Sequence, residues 1–519
     1  MTLPTVYLVG AGPGNPGLLT VRAVECLAQA DLVLYDKLAP ARALEYAPPT
    51  AERICVTELA DCHVERHAPV QRTMIEAARQ GRRVVRLKGG DPYLFGRGGE
   101  EAEALRQAGI PFEVVPGVTA ALGAAAYAGI PLTHRLHASA VALVTGHENP
   151  AKPESALDWA ALARFPGTLV VYMGVSRLAK VVAALLENGK DGATPAAVVH
   201  WATTGEQQTV EAPLRDLPGA VRWSGVAAPA LIFVGPVVAL RSHLAWFEQR
   251  PLFGKRVLVT RPRRQAGDLV RRLELLGALP FVLPTVEIGP PVDWSPVDQA
   301  LDRLRDYQWL VFTSSNGVHA FVERLRTRGR DLRALGGLRL AAIGPSTADA
   351  LRGYYLEPDV VPAEYDSEGL VAALRERVAG QVVLLARADR GREVLRDELS
   401  KVAQVEQIAV YSQKDAVDTA APALDCFRRG EIEYVTVTSA NIARALVREL
   451  DEVCRARLAS GQVKLVSISP VTSAAVRELG LSVAAEATEY TMTGVIDALV
   501  RLAAGNPSPQ PPPRSGEGE

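Results

Sequence analysis

Val6-Tyr7-Leu8-Val9-Gly10-Ala11-Gly12-Pro13-Gly14-Asn15-Pro16-Gly17 is the stretch that sets how the first half of this 519-residue chain is read. Its apolar run has no basic segment before it, so it reads as a first β-strand and not as a signal peptide. The glycines that follow satisfy Gly12-x-Gly14-x-x-Gly17, the spacing of a dinucleotide loop, and the next apolar run ends in Asp36, about where a nicotinamide ribose needs an acid. A dinucleotide loop offers successive backbone N–H groups to a pyrophosphate. Pro13 and Pro16 remove two of those donors, which makes this loop a stiff wall and a poor phosphate cradle.

Outward from this loop, apolar runs at 5–9, 32–35, 84–87, 141–145, 169–172 and 231–234 alternate with Ala/Leu/Arg-rich helical patterns. That alternation predicts α/β architecture. Residues 114–132 are almost uncharged but carry Pro116 and Pro131, so they predict a buried helix, with Thr119 as N-cap and Gly129 as stop signal, and not a membrane span. The pattern breaks at 240–254 and restarts at Lys255-Arg256-Val257-Leu258-Val259-Thr260, which places a joint there. At ~100–200 residues per domain the chain should hold roughly three to four compact units. The expected division is 1–245, then 254–503, then a disordered Pro/Gly/Ser-rich tail at 504–519.

Composition narrows the partners. Lys and Arg number 57 against 58 Asp and Glu, so there is no basic field for nucleic acid or an anionic membrane. Five cysteines without CxxC spacing predict free thiols in the cytoplasm. Cys62, His63 and His67 lack a second ligand pair, and no metal is expected.

The second half repeats itself. Thr313-Ser314-Ser315-Asn316 recurs 125 residues on as Thr438-Ser439-Ala440-Asn441, and Ile343-Gly344-Pro345-Ser346-Thr347 recurs at the same offset as Ile468-Ser469-Pro470-Val471-Thr472. Gly369-Leu370 and Gly494-Val495 keep that offset too, while the runs at 257–261 and 383–387 pair at 126. Such matches predict two similar lobes facing across a cleft lined by hydroxyls at strand ends. No nucleophile–base pair, metal cluster or phosphate loop is evident there. About 254–287 with 413–503 should form one lobe and 288–412 the other.

Further motifs give the first half a family. Arg86-Leu87-Lys88-Gly89-Gly90-Asp91-Pro92-Tyr93-Leu94-Phe95-Gly96-Arg97-Gly98-Gly99-Glu100 packs five glycines into fifteen residues, so backbone must come close to something there. Val115-Pro116-Gly117-Val118-Thr119-Ala120, Ala128-Gly129-Ile130-Pro131-Leu132-Thr133-His134-Arg135, Val171-Tyr172-Met173-Gly174 and Pro229-Ala230-Leu231-Ile232-Phe233-Val234-Gly235 follow in order. Residues 5–240 resemble the tetrapyrrole methylase family, and within it the uroporphyrinogen-III C-methyltransferases. The resemblance implies a two-lobed α/β homodimer that binds S-adenosylmethionine between its lobes and methylates uroporphyrinogen III at C2 and C7 to precorrin-2, for sirohaem or cobalamin. Carried over by motif position, the cofactor contacts are Pro13, Gly89, Gly90, Asp91, Leu94, Thr119, Ala120, Met173 and Ala202, the last standing where the family usually has Gly. Asp36 matches the family's proton acceptor, though by residue type it could equally end a strand. Arg22, Arg86, Lys88, Arg97 and Arg135 are candidate partners for the substrate's eight carboxylates by charge complementarity. Two departures stand out: Asn15 replaces the usual Asp, and Glu58 replaces a Lys, which would repel an anionic substrate.

Residues 254–502 resemble uroporphyrinogen-III synthase, through the repeated turns and Val410-Tyr411. That family closes hydroxymethylbilane without a cofactor. Tyr411 is carried over as the residue assisting loss of the hydroxyl, with Ser314, Thr347, Ser439 and Thr472 around the cleft. Alternatives remain at this point: a nicotinamide-dependent dehydrogenase, another precorrin methyltransferase or diphthine synthase in the first half, an impaired methyltransferase, and a ligand-sensing module in the second half.

Overall fold

The computed structural model describes residues 5–59, 67–146, 156–391, 393–415 and 421–505. Cys62, His63 and the tail from 506 onward lie outside these residues, while His67 opens the helix His67–Arg79. Contacts divide the chain into two compact units, Met1–Lys255 with Leu273–Leu279 and Arg256–Arg272 with Pro280–Glu519.

The first unit holds two sheets of five strands. In the first sheet the order is Glu52–Cys55, Leu32–Tyr35, Val84–Lys88, Val6–Gly10, Phe112–Val115, and every pairing is parallel. Val6 and Leu8 pack into one core and Tyr7 and Val9 into another on the opposite face, as a two-residue period requires of a strand covered on both sides. In the second sheet the order is Val141–Thr145, Thr168–Tyr172, Ala230–Val234, Pro195–His200, Gln208–Pro213, mostly antiparallel. The helix Ala120–Ala128 ends on Gly129, which adopts the left-handed conformation at φ 74°. Past residue 245 the chain still packs on this unit: Trp246 donates from its indole to Ala126 O, and Phe247 meets the Tyr127 ring at 4.8 Å.

The second unit shows the duplication as topology. One sheet runs Leu279–Val282, Arg256–Val259, Tyr434–Val437, Lys464–Ser467, Val483–Glu486. The other runs Gln404–Asp415, Val382–Ala388, Trp309–Phe312, Arg339–Ala342, with a single bridge from Ala341 to Val360 standing where the fifth strand would be. These orders superimpose strand for strand at the offsets read from the sequence. Val286–Gly289 is the addition, pairing antiparallel with Gln404–Asp415 and so lying in the second lobe's sheet, which corrects the expected lobe boundaries: 286–287 and 413–415 belong with 288–412, because the two strands pair with each other.

The repeated side chains do the same work twice. Ser314 accepts from Gly317 N to start the helix Ser315–Thr327, and Ser439 accepts from Ile442 N to start Ala440–Glu449. Gly369 and Gly494 occupy equivalent first turns, where a Cβ would fall 2.3 Å from Glu364 O and 2.0 Å from Glu489 O. Gly369→Ala and Gly494→Ala are each expected to lower stability by about 1–3 kcal/mol through overpacking, measured as a fall in urea midpoint at unchanged slope.

Candidate functional site

In the first unit the strand ends meet as bare backbone. A Cβ on Gly117 would lie 2.3 Å from Gly90 O and 2.7 Å from Gly10 Cα, so the turns after three adjacent strands touch with no room for a side chain. Gly12 and Gly90 pair backbone to backbone at 2.8 and 3.2 Å. The Asp91 carboxylate accepts from Tyr93 N at 2.9 Å and from Gly117 N at 3.1 Å, which ties the second turn to the third.

Above these turns opens a cavity of about 600 Å³, with walls from both sheets of the unit. Pro13, Gly89, Gly90, Asp91, Leu94, Thr119, Ala120, Met173 and Ala202 all line it, brought together from five separate segments. Strain gathers there as well. Phe95 (φ 54°), Met173 (φ 53°) and Trp201 (φ 40°) line the cavity in left-handed conformations that cost a side-chain-bearing residue energy.

Tyr172 also lines the cavity, and the sequence reading missed it. Thr119 sits at the predicted N-cap, yet its hydroxyl does not cap the helix. It shares a 2.6 Å hydrogen bond with the Tyr172 hydroxyl, which itself accepts from Ala121 N at 2.9 Å. The cap therefore comes from the other sheet. Burial pushes the Tyr172 phenol up, and its bonds to Thr119 and Ala121 offset part of the rise. A strand-end tyrosine gives no sequence signal of this role, because its partner lies 53 residues away.

The glycine loop departs from a dinucleotide loop in its continuation. Asn15 accepts from Gly17 N and starts a short 3-10 turn, Pro16–Leu18. The helix Val21–Ala28 begins only afterwards, capped by Thr20. No helix N-terminus is thus presented by the loop to a diphosphate. Asn15 N instead donates to Thr203 Oγ1 at 3.0 Å, and its amide donates to Tyr127 Oη at 3.1 Å.

The second unit gathers a polar cluster where its lobes meet. Tyr411 Oη lies 2.9 Å from Ser314 Oγ, and Asn316 and Gln413 also hydrogen-bond the phenol. Gln265 of the other lobe donates to Asn316 Oδ1 at 2.6 Å, and Asn441 donates to Gln413 Oε1 at 3.3 Å. The two repeat-related asparagines thus both link the lobes. Tyr411 is buried, which pushes its phenol up and keeps it protonated at neutral pH. Ser439 serves a helix start in its own lobe, as does Thr472 beside Ser469, and Thr347 is buried in the first turn of Pro345–Arg352.

Residues 5–218 match the family model of tetrapyrrole (corrin/porphyrin) methylases, and residues 267–497 that of uroporphyrinogen-III synthase. The chain is 34% identical to the porphyrin biosynthesis protein HemD of Ruminiclostridium josui, over 96% of this chain and 98% of that one. The chain belongs to both families, one in each half. A uroporphyrinogen-III C-methyltransferase of Bacillus subtilis is 47% identical over 47% of this chain and 94% of its own. The solved structure of uroporphyrin-III C-methyltransferase from Thermus thermophilus complexed with S-adenyl homocysteine is 42% identical, covering 45% of this chain and 92% of that one, with a TM-score of 0.39.

In the methylase half the expected carboxylate partners divide. Arg86 and Lys88 depart from that expectation, being only 4% and 3% exposed and engaged inside the protein. Arg86 donates to Asp36 Oδ1 at 2.7 Å and to Glu101 Oε1 at 2.9 Å, and Lys88 pairs with Glu101 Oε2 at 3.0 Å. Sequence shows their charge but not that Glu101, fifteen residues past Arg86, consumes it. Arg22 lies outside the cavity wall, paired with Glu113 and Glu25, while Arg97 pairs with Glu100 and remains exposed, as does Arg135. Glu58 is exposed on the turn Val56–Glu58.

Gly117→Ala is expected to force the three turns of the methylase apart and slow methyl transfer about 100-fold, the scale of a 1 Å misplacement. Initial rates with radiolabelled S-adenosylmethionine measure it, and an unchanged rate would show that the contact is dispensable.

Proposed function

We propose that the synthase half closes hydroxymethylbilane to uroporphyrinogen III and that the methylase half then methylates this product at C2 and C7, giving precorrin-2. The reading rests on one observation above all: nine positions assigned by the methylase motifs, scattered over five segments, surround one cavity. Its volume of about 600 Å³ suits a nucleoside-sized ligand. Its fabric of glycine backbone, apolar walls such as Leu94, Val199 and Leu231, and a proline in place of a phosphate donor fits a cationic thioether better than a diphosphate.

S-adenosylmethionine, the methyl donor of the methylase family, supplies an electrophilic sulfonium methyl when bound there. The chain's own residues align the reactants and remove a proton. The methyl group adds to a substituted pyrrole carbon, which becomes quaternary as the C–S bond breaks, and Asp36 accepts the proton that the macrocycle then loses from a neighbouring ring position, at the carboxylate whose Oδ1 Arg86 already holds. In the synthase half, the pyrrole nitrogens expel the hydroxyl of hydroxymethylbilane. Tyr411, kept protonated by burial, donates the proton that lets it leave as water. Ser314, which hydrogen-bonds the phenol, supports this reading, and Thr347, Ser439 and Thr472 stand at the equivalent helix starts. The reading includes a homodimer through the methylase half and a cytoplasmic location. Among the described residues, no helix is long and apolar enough to cross a membrane.

The test supplies hydroxymethylbilane and S-adenosylmethionine to the purified chain and follows product mass and isomer. A doubly methylated type III product is expected. Unmethylated type III isomer alone would sink the methyl-transfer assignment and single out Glu58, and the type I isomer alone would sink the synthase assignment. Tyr411→Phe should slow ring closure at least about 100-fold, the low end of general acid catalysis, while methyl transfer to supplied uroporphyrinogen III continues.

A further inference from the structure

Four charges lie together below the methylase cavity: Asp36, Arg86, Lys88 and Glu101. Two positive and two negative groups close the set at neutrality. Three are almost fully buried, with Arg86 4%, Lys88 3% and Glu101 2% exposed, whereas the Asp36 side chain is 29% exposed. Only one end of the array therefore reaches outward, and it is a carboxylate.

The connectivity has a direction. Lys88 holds Glu101 Oε2, Glu101 Oε1 holds Arg86 Nε, and Arg86 Nη2 holds Asp36 Oδ1 at 2.7 Å. The remaining Arg86 nitrogen, Nη1, donates to Leu34 O at 3.4 Å and Leu87 O at 3.3 Å, so the guanidinium is fixed in plane from every side. The elements joined are the end of strand Leu32–Tyr35, strand Val84–Lys88 and helix Gly98–Gln107. Each continues into a wall of the cavity, at Leu38, at Gly89–Asp91 and at Leu94–Gly96 respectively. Burying three ions where apolar residues would pack as well is costly, and a lone fold-stabilising role explains it poorly.

We infer that Glu101 is a positioning residue for methyl transfer: through Arg86 it orients the Asp36 carboxylate that takes the pyrrole proton. Lys88 balances the charge of Glu101, so that Arg86 is not drawn wholly away from Asp36. The direction of the Lys88 shift agrees with this. Burial, and next the Arg86 charge, push its ammonium down, and the Glu101 charge restores part of the loss. The inference rests on Asp36 acting as proton acceptor, as set out above.

A double-mutant cycle in the full chain tests it, with ring closure by the synthase half as an internal control of folding. Glu101→Gln should lower kcat of methyl transfer about 100-fold, as a misplaced catalytic group does. KM for uroporphyrinogen III and the affinity for S-adenosylhomocysteine should hold. In an Asp36→Asn background the same change should cost nothing further, because the residue it positions is gone. Should Glu101→Gln fail to fold, Lys88→Met with Glu101→Gln keeps the interior neutral and carries the same expectation. An unchanged kcat, or an equal loss in both backgrounds, would overturn the inference while leaving Asp36 in place. Full activity of Asp36→Asn would overturn both.

Discussion

The methylase half is built on a contact between backbones. At the carboxyl edge of the first sheet, Gly10, Gly90 and Gly117 approach until a single added methyl group would overlap a carbonyl oxygen. Side chains cannot occupy that edge, so the turns above it are free to form a floor of peptide groups. Everything in the methylase half follows from that floor. Pro13 stiffens one turn, Asp91 stitches two others, and the helix Ala120–Ala128 brings its first residues over the top under the control of Tyr172. Left-handed backbone at Phe95, Met173 and Trp201 persists because the surrounding packing leaves those residues no alternative.

Charge is handled differently inside the methylase half and on its surface. An octacarboxylate substrate invites the expectation that every nearby basic residue faces it. Arg86 and Lys88 face inward instead, because side chains alternate along Val84–Lys88 between two buried layers and neither layer is open to solvent there. Once inside, both cations need anions, and Glu101 with Asp36 supplies them. Of the arginines left on the surface, Arg97 pairs with Glu100 and Arg135 is exposed.

In the synthase half, duplication sets two like turns facing each other. Two lobes with one strand order present the same turn twice, and each turn contributes a serine cap and an asparagine. The serines stay within their own lobes, while Asn316 and Asn441 reach polar partners across the junction. Tyr411 lies among these amides on the strand Gln404–Asp415, which extends beyond its repeat partner Leu279–Val282 and pairs with Val286–Gly289. The repeats thus differ at the strand that carries Tyr411.

Resemblance to the methylase family supplied the nine positions around the cavity, whereas the residues alone were enough for the α/β class, the duplicated turns at an offset of 125 and the helix stop at Gly129. These are local matters: strand periodicity, proline's missing donor, glycine's freedom and short motifs whose residues act within a few positions of one another. Only the folded chain shows what Thr119 bonds to, where the charges of Arg86 and Lys88 go, and which partners Glu101, Tyr172, Asn316 and Asn441 meet. Those choices depend on partners supplied by other strands and helices. A charge or hydroxyl in a sequence announces that it will need a partner, but only the packing of distant segments determines which one it meets.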